Sequence, residues 1–166
     1  MNNIPFMKLS GAGNDFVVID NRGKIVQKTI DSELNDFVLK VCTRRMSVGA
    51  DGLLLVESSE NADFKMRYFN SDGGEVETCG NGARCMALFA HSLGFDKQHQ
   101  FNVHDNVYEA IVLGSDSAVI RFPMEASINE KTIDGEPLYA IHTGTEHVVK
   151  KVTNEELSRE DQLLTE

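Results

Sequence analysis

Cys79 stands between an Asn-Ser-Asp-Gly-Gly turn and the triplet Gly80-Asn81-Gly82, and the run behind those glycines is apolar on nearly every face until Gly94. That order puts a thiol at the mouth of a helix. Backbone N–H groups in the first turn of a helix have no partner inside it, and the aligned peptide dipoles leave partial positive charge there. A small carboxylate is therefore welcome at that end. Gly80 and Gly82 keep no side chain between ligand and backbone, and Asn81 adds an amide donor. The same field favours thiolate over thiol, which makes Cys79 a candidate base or nucleophile. The competing reading is structural: a small, buried residue that merely caps a core helix.

The remaining polar groups carry weaker signals. Asn14 and Asp15 follow Gly11-Ala12-Gly13, where Asx side chains commonly shape a turn; a ligand-facing amide is the sharper alternative. Arg44-Arg45 could hold an acidic ligand, but a solvated pair or a helix C-terminal contact is the commoner use of such a pair. Cys42, Cys79 and Cys85 are odd in number and lack metal-type pairing, which fits reduced thiols. The histidines at 91, 99, 104, 142 and 147 have no metal-ligand spacing, so no metal is expected. A net charge of −10 argues against nucleic acid or an anionic membrane as partner. No run reaches the roughly 20 apolar residues of a membrane span, and a cytoplasmic setting is the expectation.

The elements that must position these groups follow from periodicity. Residues 4–9 and 16–20 predict a β-hairpin around residues 11–15. Leu34, Phe37, Val38 and Val41 recur at helical spacing, so 31–43 predicts an amphipathic helix in which Cys42 is structural. Residues 53–56 predict an apolar strand. Phe64, Met66, Tyr68 and Asn70 alternate along a half-buried strand that delivers Asn70 to the turn before Cys79. Three further strands are expected at 100–104, 107–113 and 118–122, and a hairpin at 138–142 and 147–152. Residues 130–136, rich in Lys, Asp and Gly, predict a short linker, and a charged helix begins at Asn154. With 41% apolar and 25% charged residues the chain is globular, and the pattern predicts an α/β (α+β) fold whose sheet wraps a central apolar helix.

The segments GAGNDFVVID (11–20), CTRRMSVGADGLLLVE (42–57) and YFNSDGGEVETCGNGARC (68–85) resemble, in this order and spacing, the N-terminal half of diaminopimelate epimerase. The last run is the most specific. The resemblance implies one of two pseudo-symmetric lobes: an N-terminal epimerase lobe at 1–152, and at 153–166 the start of a linker or helix toward a C-terminal lobe. It implies an isomerase without cofactor that interconverts LL- and meso-diaminopimelate in lysine and cell-wall synthesis. Two cysteines flank the substrate α-carbon in that family, and Cys79 matches the first. Asn14, Asn70, Gly80 and Asn81 match its substrate-contacting positions, and His147 a histidine that assists catalysis.

Two departures shape the expectations. The family's Gly-Asn-Pro-His turn reads Gly144-Thr145-Glu146-His147 here, so Thr145 takes the place of a contacting asparagine and Glu146 adds a carboxylate. The partner cysteine does not occur after Val152. Cys85 cannot replace it, because six residues of helix carry it about 9 Å along the axis and onto another face. The expected protein is an incomplete or inactive half, its C-terminal lobe supplied elsewhere or by a homodimer. A cysteine-dependent racemase of the proline or hydroxyproline type and a noncatalytic interaction domain of the same fold are the alternatives. A thiol-redox role is disfavoured, since no C-x-x-C pair is present.

Overall fold

A computed structural model describes residues 3–123, 127–133, 135–142 and 146–153. The chain divides at Pro123 into two compact units, 1–123 and 124–166.

In the first unit, β1 (Met7–Gly11) and β2 (Asn14–Asp20) form the expected hairpin. Asn14 and Asp15 are not in its turn; they already pair with Gly11 and Ser10 as the first residues of β2. Short α1 (Ile25–Thr29) and α2 (Leu34–Cys42) follow. Periodicity gives no sign of α1, because five residues are too few to display it; its start is fixed by Asn21, whose Oδ1 accepts the Val26 N–H at 3.0 Å. Next come β3 (Gly52–Glu57), β4 (Phe64–Asn70) and the two-residue β5 (Glu75–Val76). Then α3 (Gly80–Ser92) leads to β6 (Gln98–Val103), β7 (Asn106–Val112) and β8 (Ala118–Arg121).

These strands make one eight-stranded mixed sheet in the order β1-β2-β3-β4-β6-β7-β8, with β5 paired to β4. The pairs β2/β3 and β4/β6 are parallel and the others antiparallel. Two cores explain why β2 and β3 read as unbroken apolar runs instead of alternating. Phe16, Val18, Leu54 and Val56 face α3, whereas Val17, Ile19, Leu53 and Leu55 face the cluster that α1 and α2 cover. Helix α3 packs against β1, β2, β3, β4, β7 and β8, so the sheet curls around it. Its Ala83, Met86, Ala87 and Ala90 are fully buried. The small alanines let strands approach on several sides, and Met86 contributes about 1.5–3 kcal/mol by burial.

The second unit contains β9 (Ser127–Ile133), β10 (Glu136–His142) and β11 (Glu146–Lys150), an antiparallel sheet in the order β11-β10-β9. The linker expected at 130–136 is thus a correction. Glu130 and Lys131 pair with Tyr139 and Leu138, and Gly135 turns the chain with φ 84°. Polar composition hides a strand when its side chains stay exposed, and the described ones of β9 do. Thr145 and the helix expected from Asn154 lie outside the described residues. No helix among the described residues is long and apolar enough to cross a membrane.

Candidate active site at the N-terminus of the central helix

Cys79 is the N-cap of α3, with extended backbone (φ −156°, ψ 103°). Its Sγ accepts the Gly82 N–H at 3.2 Å, occupying the place where a serine or aspartate oxygen usually caps. The residue is half-buried, while Cys42 and Cys85 are each only 3% exposed. Burial pushes the Cys42 thiol up to about 11, with the negative charges of Asp15 and Asp51 adding to it. Cys85 is raised too, first by burial and then by Cys79. All three are unpaired thiols. The N–H groups of Gly80 and Asn81 precede any intrahelical acceptor, and only a Phe122 ring atom, at 3.4 Å, would meet a Cβ on Gly80.

Asn14 is brought to this helix end by the hairpin. Gly11 makes that possible, because a Cβ there would meet Cys85 Sγ at 2.8 Å and the Asn81 carbonyl oxygen at 3.0 Å. The hairpin therefore lies against the first turn of α3, and Asn81 Nδ2 donates to Asn14 Oδ1 at 2.8 Å. Asn70 ends β4, where its N–H donates to the Gly74 carbonyl at 2.9 Å and closes the turn. The Tyr68 hydroxyl donates to Asn70 Oδ1 at 2.6 Å. Tyr68 is 8% exposed and its phenol is raised by burial first, then by the Cys79 sulfur beside it. Asn14, Asn70, Cys79, Gly80 and Asn81 thus belong to the first unit, with Asn14 bonded to Asn81, and Tyr68 set between Asn70 and Cys79. His147 is exposed on β11 of the second unit, paired with Ile141.

Sequence reasoning missed Tyr68, Asp51 and Arg84. Tyr68 reads as one more apolar position of an alternating strand, and only its hydroxyl distinguishes it from Phe64. Arg84 Nη2 donates to Asn81 Oδ1. Asp51 Oδ2 accepts from Asn14 Nδ2 and from the Asp15 N–H, both at 3.1 Å. Arg44 ion-pairs with Asp15 at 2.5 Å and Asp51 at 2.8 Å, a role that none of the readings of the arginine pair named. Lys8 adds a contact to Asp15 at 3.0 Å.

The Arg44 guanidinium, with Lys8, holds the Asp15 carboxyl well below the usual carboxylate range. Asp51 is lowered by the Asn14 amide first, then the Asp15 N–H and Arg44. A depressed folded-state pKa stabilises the fold above the unfolded value, near ~3.9, and that stability is lost as pH falls through the folded one. The side chain of Arg44 is 56% exposed, so solvent screens the pair and the contribution is small. Arg44→Met is therefore expected to leave the urea midpoint little changed near neutrality. The small difference from the parent chain should shrink as pH falls below about 4, because the parent then loses the contribution that the variant already lacks; a difference that grows in acid would contradict the assignment.

The sequence profile of diaminopimelate epimerase matches residues 6–107, more than half of the chain. This chain belongs to the diaminopimelate epimerase family. Diaminopimelate epimerase of Chlorobaculum tepidum is 39% identical over 150 residues, covering 88% of this chain and 56% of that protein. The Aquifex aeolicus diaminopimelate epimerase is 39% identical over 162 residues, 91% of this chain and 58% of its own length. A chloroplastic diaminopimelate epimerase of Oryza sativa is 46% identical over 101 residues, covering 60% of this chain and 27% of that one. The epimerase-family chain thus spans a little over half the length of the two bacterial relatives. The solved phenazine biosynthesis protein of the PhzF family from Bacillus anthracis has the same fold, with TM-score 0.66 at 19% identity over 95% of this chain and 58% of its own. The relatives' names are those of an epimerase, a class of isomerase.

Proposed function

We propose that this chain is the N-terminal half of a diaminopimelate epimerase and works on LL- or meso-diaminopimelate from one face of the α-carbon. The observation that carries this reading is the half-buried sulfur at the N-cap of α3, beside unpaired helix N–H groups and the linked amides of Asn14 and Asn81. Cys79 as thiolate takes the α-proton: the Cα–H bond breaks, an S–H bond forms, and the electron pair spreads into the α-carboxylate. Without an imine sink, that developing charge needs donors aimed at the carboxylate oxygens. The N–H groups of Gly80 and Asn81 supply them, with the amides of Asn14 and Asn70 holding the amino acid. Thr145 and His147 are assigned to substrate binding and catalysis through their match to the family turn. The partner cysteine for the opposite face comes from a C-terminal lobe outside these 166 residues, or from a second copy. A cytoplasmic setting belongs to this reading, since unpaired thiols suit a reducing compartment.

Among the 166 residues Cys79 is the one half-exposed thiol, so this half carries one base. Incubated alone with LL-diaminopimelate in deuterated water, it is expected to exchange the α-hydrogen slowly with little meso product. Mass spectrometry and chiral chromatography read the two. Rapid inversion by the 166 residues alone would sink the one-base reading, and absence of both binding and exchange would sink the substrate assignment.

A further inference from the structure

A chain of hydrogen bonds crosses the site, beginning on a group that can only donate and ending on one that only accepts. Arg84 Nη2 donates to Asn81 Oδ1. Asn81 Nδ2 donates to Asn14 Oδ1 at 2.8 Å, and Asn14 Nδ2 to Asp51 Oδ2 at 3.1 Å. The other oxygen of Asp51 accepts from Arg44 Nη2 at 2.8 Å. We propose that Asp51 and Arg84 are positioning residues that fix the direction of the Asn14 and Asn81 amides, so that each presents its unused N–H to a bound carboxylate.

The two ends of a carboxamide have nearly the same size, so packing alone selects its orientation poorly; the hydrogen-bond partners select it. A guanidinium has no acceptor and an ionised carboxylate has no donor. With Arg84 at one end, Asn81 must turn its oxygen to the arginine and its NH2 to Asn14. Asn14 must then accept with its oxygen, which sends its NH2 to Asp51. Flipping either amide alone breaks two bonds, and flipping both sets an NH2 against the guanidinium and a carbonyl against the carboxylate. Each NH2 has two hydrogens and the chain uses one. Both asparagines therefore enter the site as donors beside the helix N–H groups, a set suited to an anion; a carbonyl turned inward would repel one.

Asp51 is itself anchored. Its N–H donates to the Asp15 carbonyl at 2.9 Å, its carbonyl accepts the Ser71 N–H at 3.0 Å, and Arg44 holds it together with Asp15. The lowered pKa of Asp51 keeps it an acceptor at neutral pH. The same Ser71 bond fixes the Asp51 backbone against the turn that follows Asn70, so this one residue is tied to two segments of the site.

This inference rests on the reading that a substrate carboxylate sits at the α3 N-terminus, and the test separates the two. Side-chain amide resonances of the 15N-labelled full chain report the network without ligand. In the parent protein the Asn14 NH2 should shift as Asp51 titrates in acid, and the Asn81 NH2 should shift with it. Asp51→Asn offers either a donor or an acceptor, so it should remove that pH dependence and displace or broaden both amide signals while distant backbone signals stay in place. Arg84→Met, at the opposite end, should displace the same two and decides the matter if Asp51→Asn fails to fold. Asparagine signals left at parent positions in a folded variant overturn the proposal. Calorimetry with meso-diaminopimelate should show about tenfold weaker binding in either variant, the loss of roughly one well-placed hydrogen bond. Unchanged affinity with displaced amides overturns the ligand role. Failure of the parent chain to bind diaminopimelate refutes the substrate reading instead, while the pH-dependent amide shifts are judged separately.

Discussion

Cys79→Ala is expected to abolish α-hydrogen exchange, by at least a hundredfold against the parent chain, without weakening diaminopimelate binding to the same degree. A positioned general base contributes about 10²–10⁴-fold, and no other thiol can substitute. Cys42 and Cys85 are each 3% exposed. Burial raises both thiols, Cys42 to about 11, which disfavours the thiolate that reacts. Iodoacetamide should for the same reason label Cys79 alone in the folded chain, as read by peptide mass spectrometry, and reach the other two only in denaturant. The carboxylate donors on Gly80, Asn81 and Asn14 are retained in the alanine variant, so calorimetry should separate lost chemistry from lost binding. Exchange that survives in Cys79→Ala would transfer the base to another residue.

The second large effect is on stability. A Cβ at Gly52 would lie 2.4 Å from the Phe69 carbonyl oxygen and 2.6 Å from Tyr68 Cε2. The first neighbour is backbone of the paired strand β4, and Phe69 itself is 1% exposed, so neither strand can yield locally. Overpacking of a buried site costs about 1–3 kcal/mol and more where backbone must move, against a total of about 5–15 kcal/mol for a domain. Gly52→Val is expected to lie at or above the top of that range. Any remaining fold should have a displaced Tyr68 ring, and with it a broken 2.6 Å bond to Asn70. Urea denaturation gives the magnitude. Gly23→Ala, where a Cβ meets nothing within 4 Å, is the control and should stay within about 1 kcal/mol of the parent. A Gly52→Val chain as stable as the control would show that β3 and β4 can separate there.

Gly52 also illustrates which features were legible. The sequence places it in a Gly-rich link before an apolar strand; that it is the first residue of β3, empty because the Tyr68 ring fills the space, appears only when β3 and β4 are paired. Asn14 is similar. Next to Gly11-Ala12-Gly13 it reads as a turn residue, yet it lies in β2 and pairs with Gly11, and its side chain spans to Asn81, 67 positions away. The strand β9 was hidden because strand pairing with Leu138 and Tyr139 stabilises a segment whose own residues are mostly polar. Local propensity carries little information where a long-range partner supplies the hydrogen bonds.

The order of residues alone determined the buried helix, the thiol at its start and the glycines that leave its amides open, because capping, periodicity and helix-end polarity act over a few neighbouring positions. It determined equally the alternating strand that carries Asn70. What only the tertiary structure decided is the company these groups keep: Tyr68 between Asn70 and Cys79, Asp51 and Arg44 behind Asn14, and Arg84 turned onto Asn81. The bond from Asn14 to Asp51 joins segments 37 positions apart, and even between near neighbours a side-chain hydrogen bond has direction only once both partners are in place.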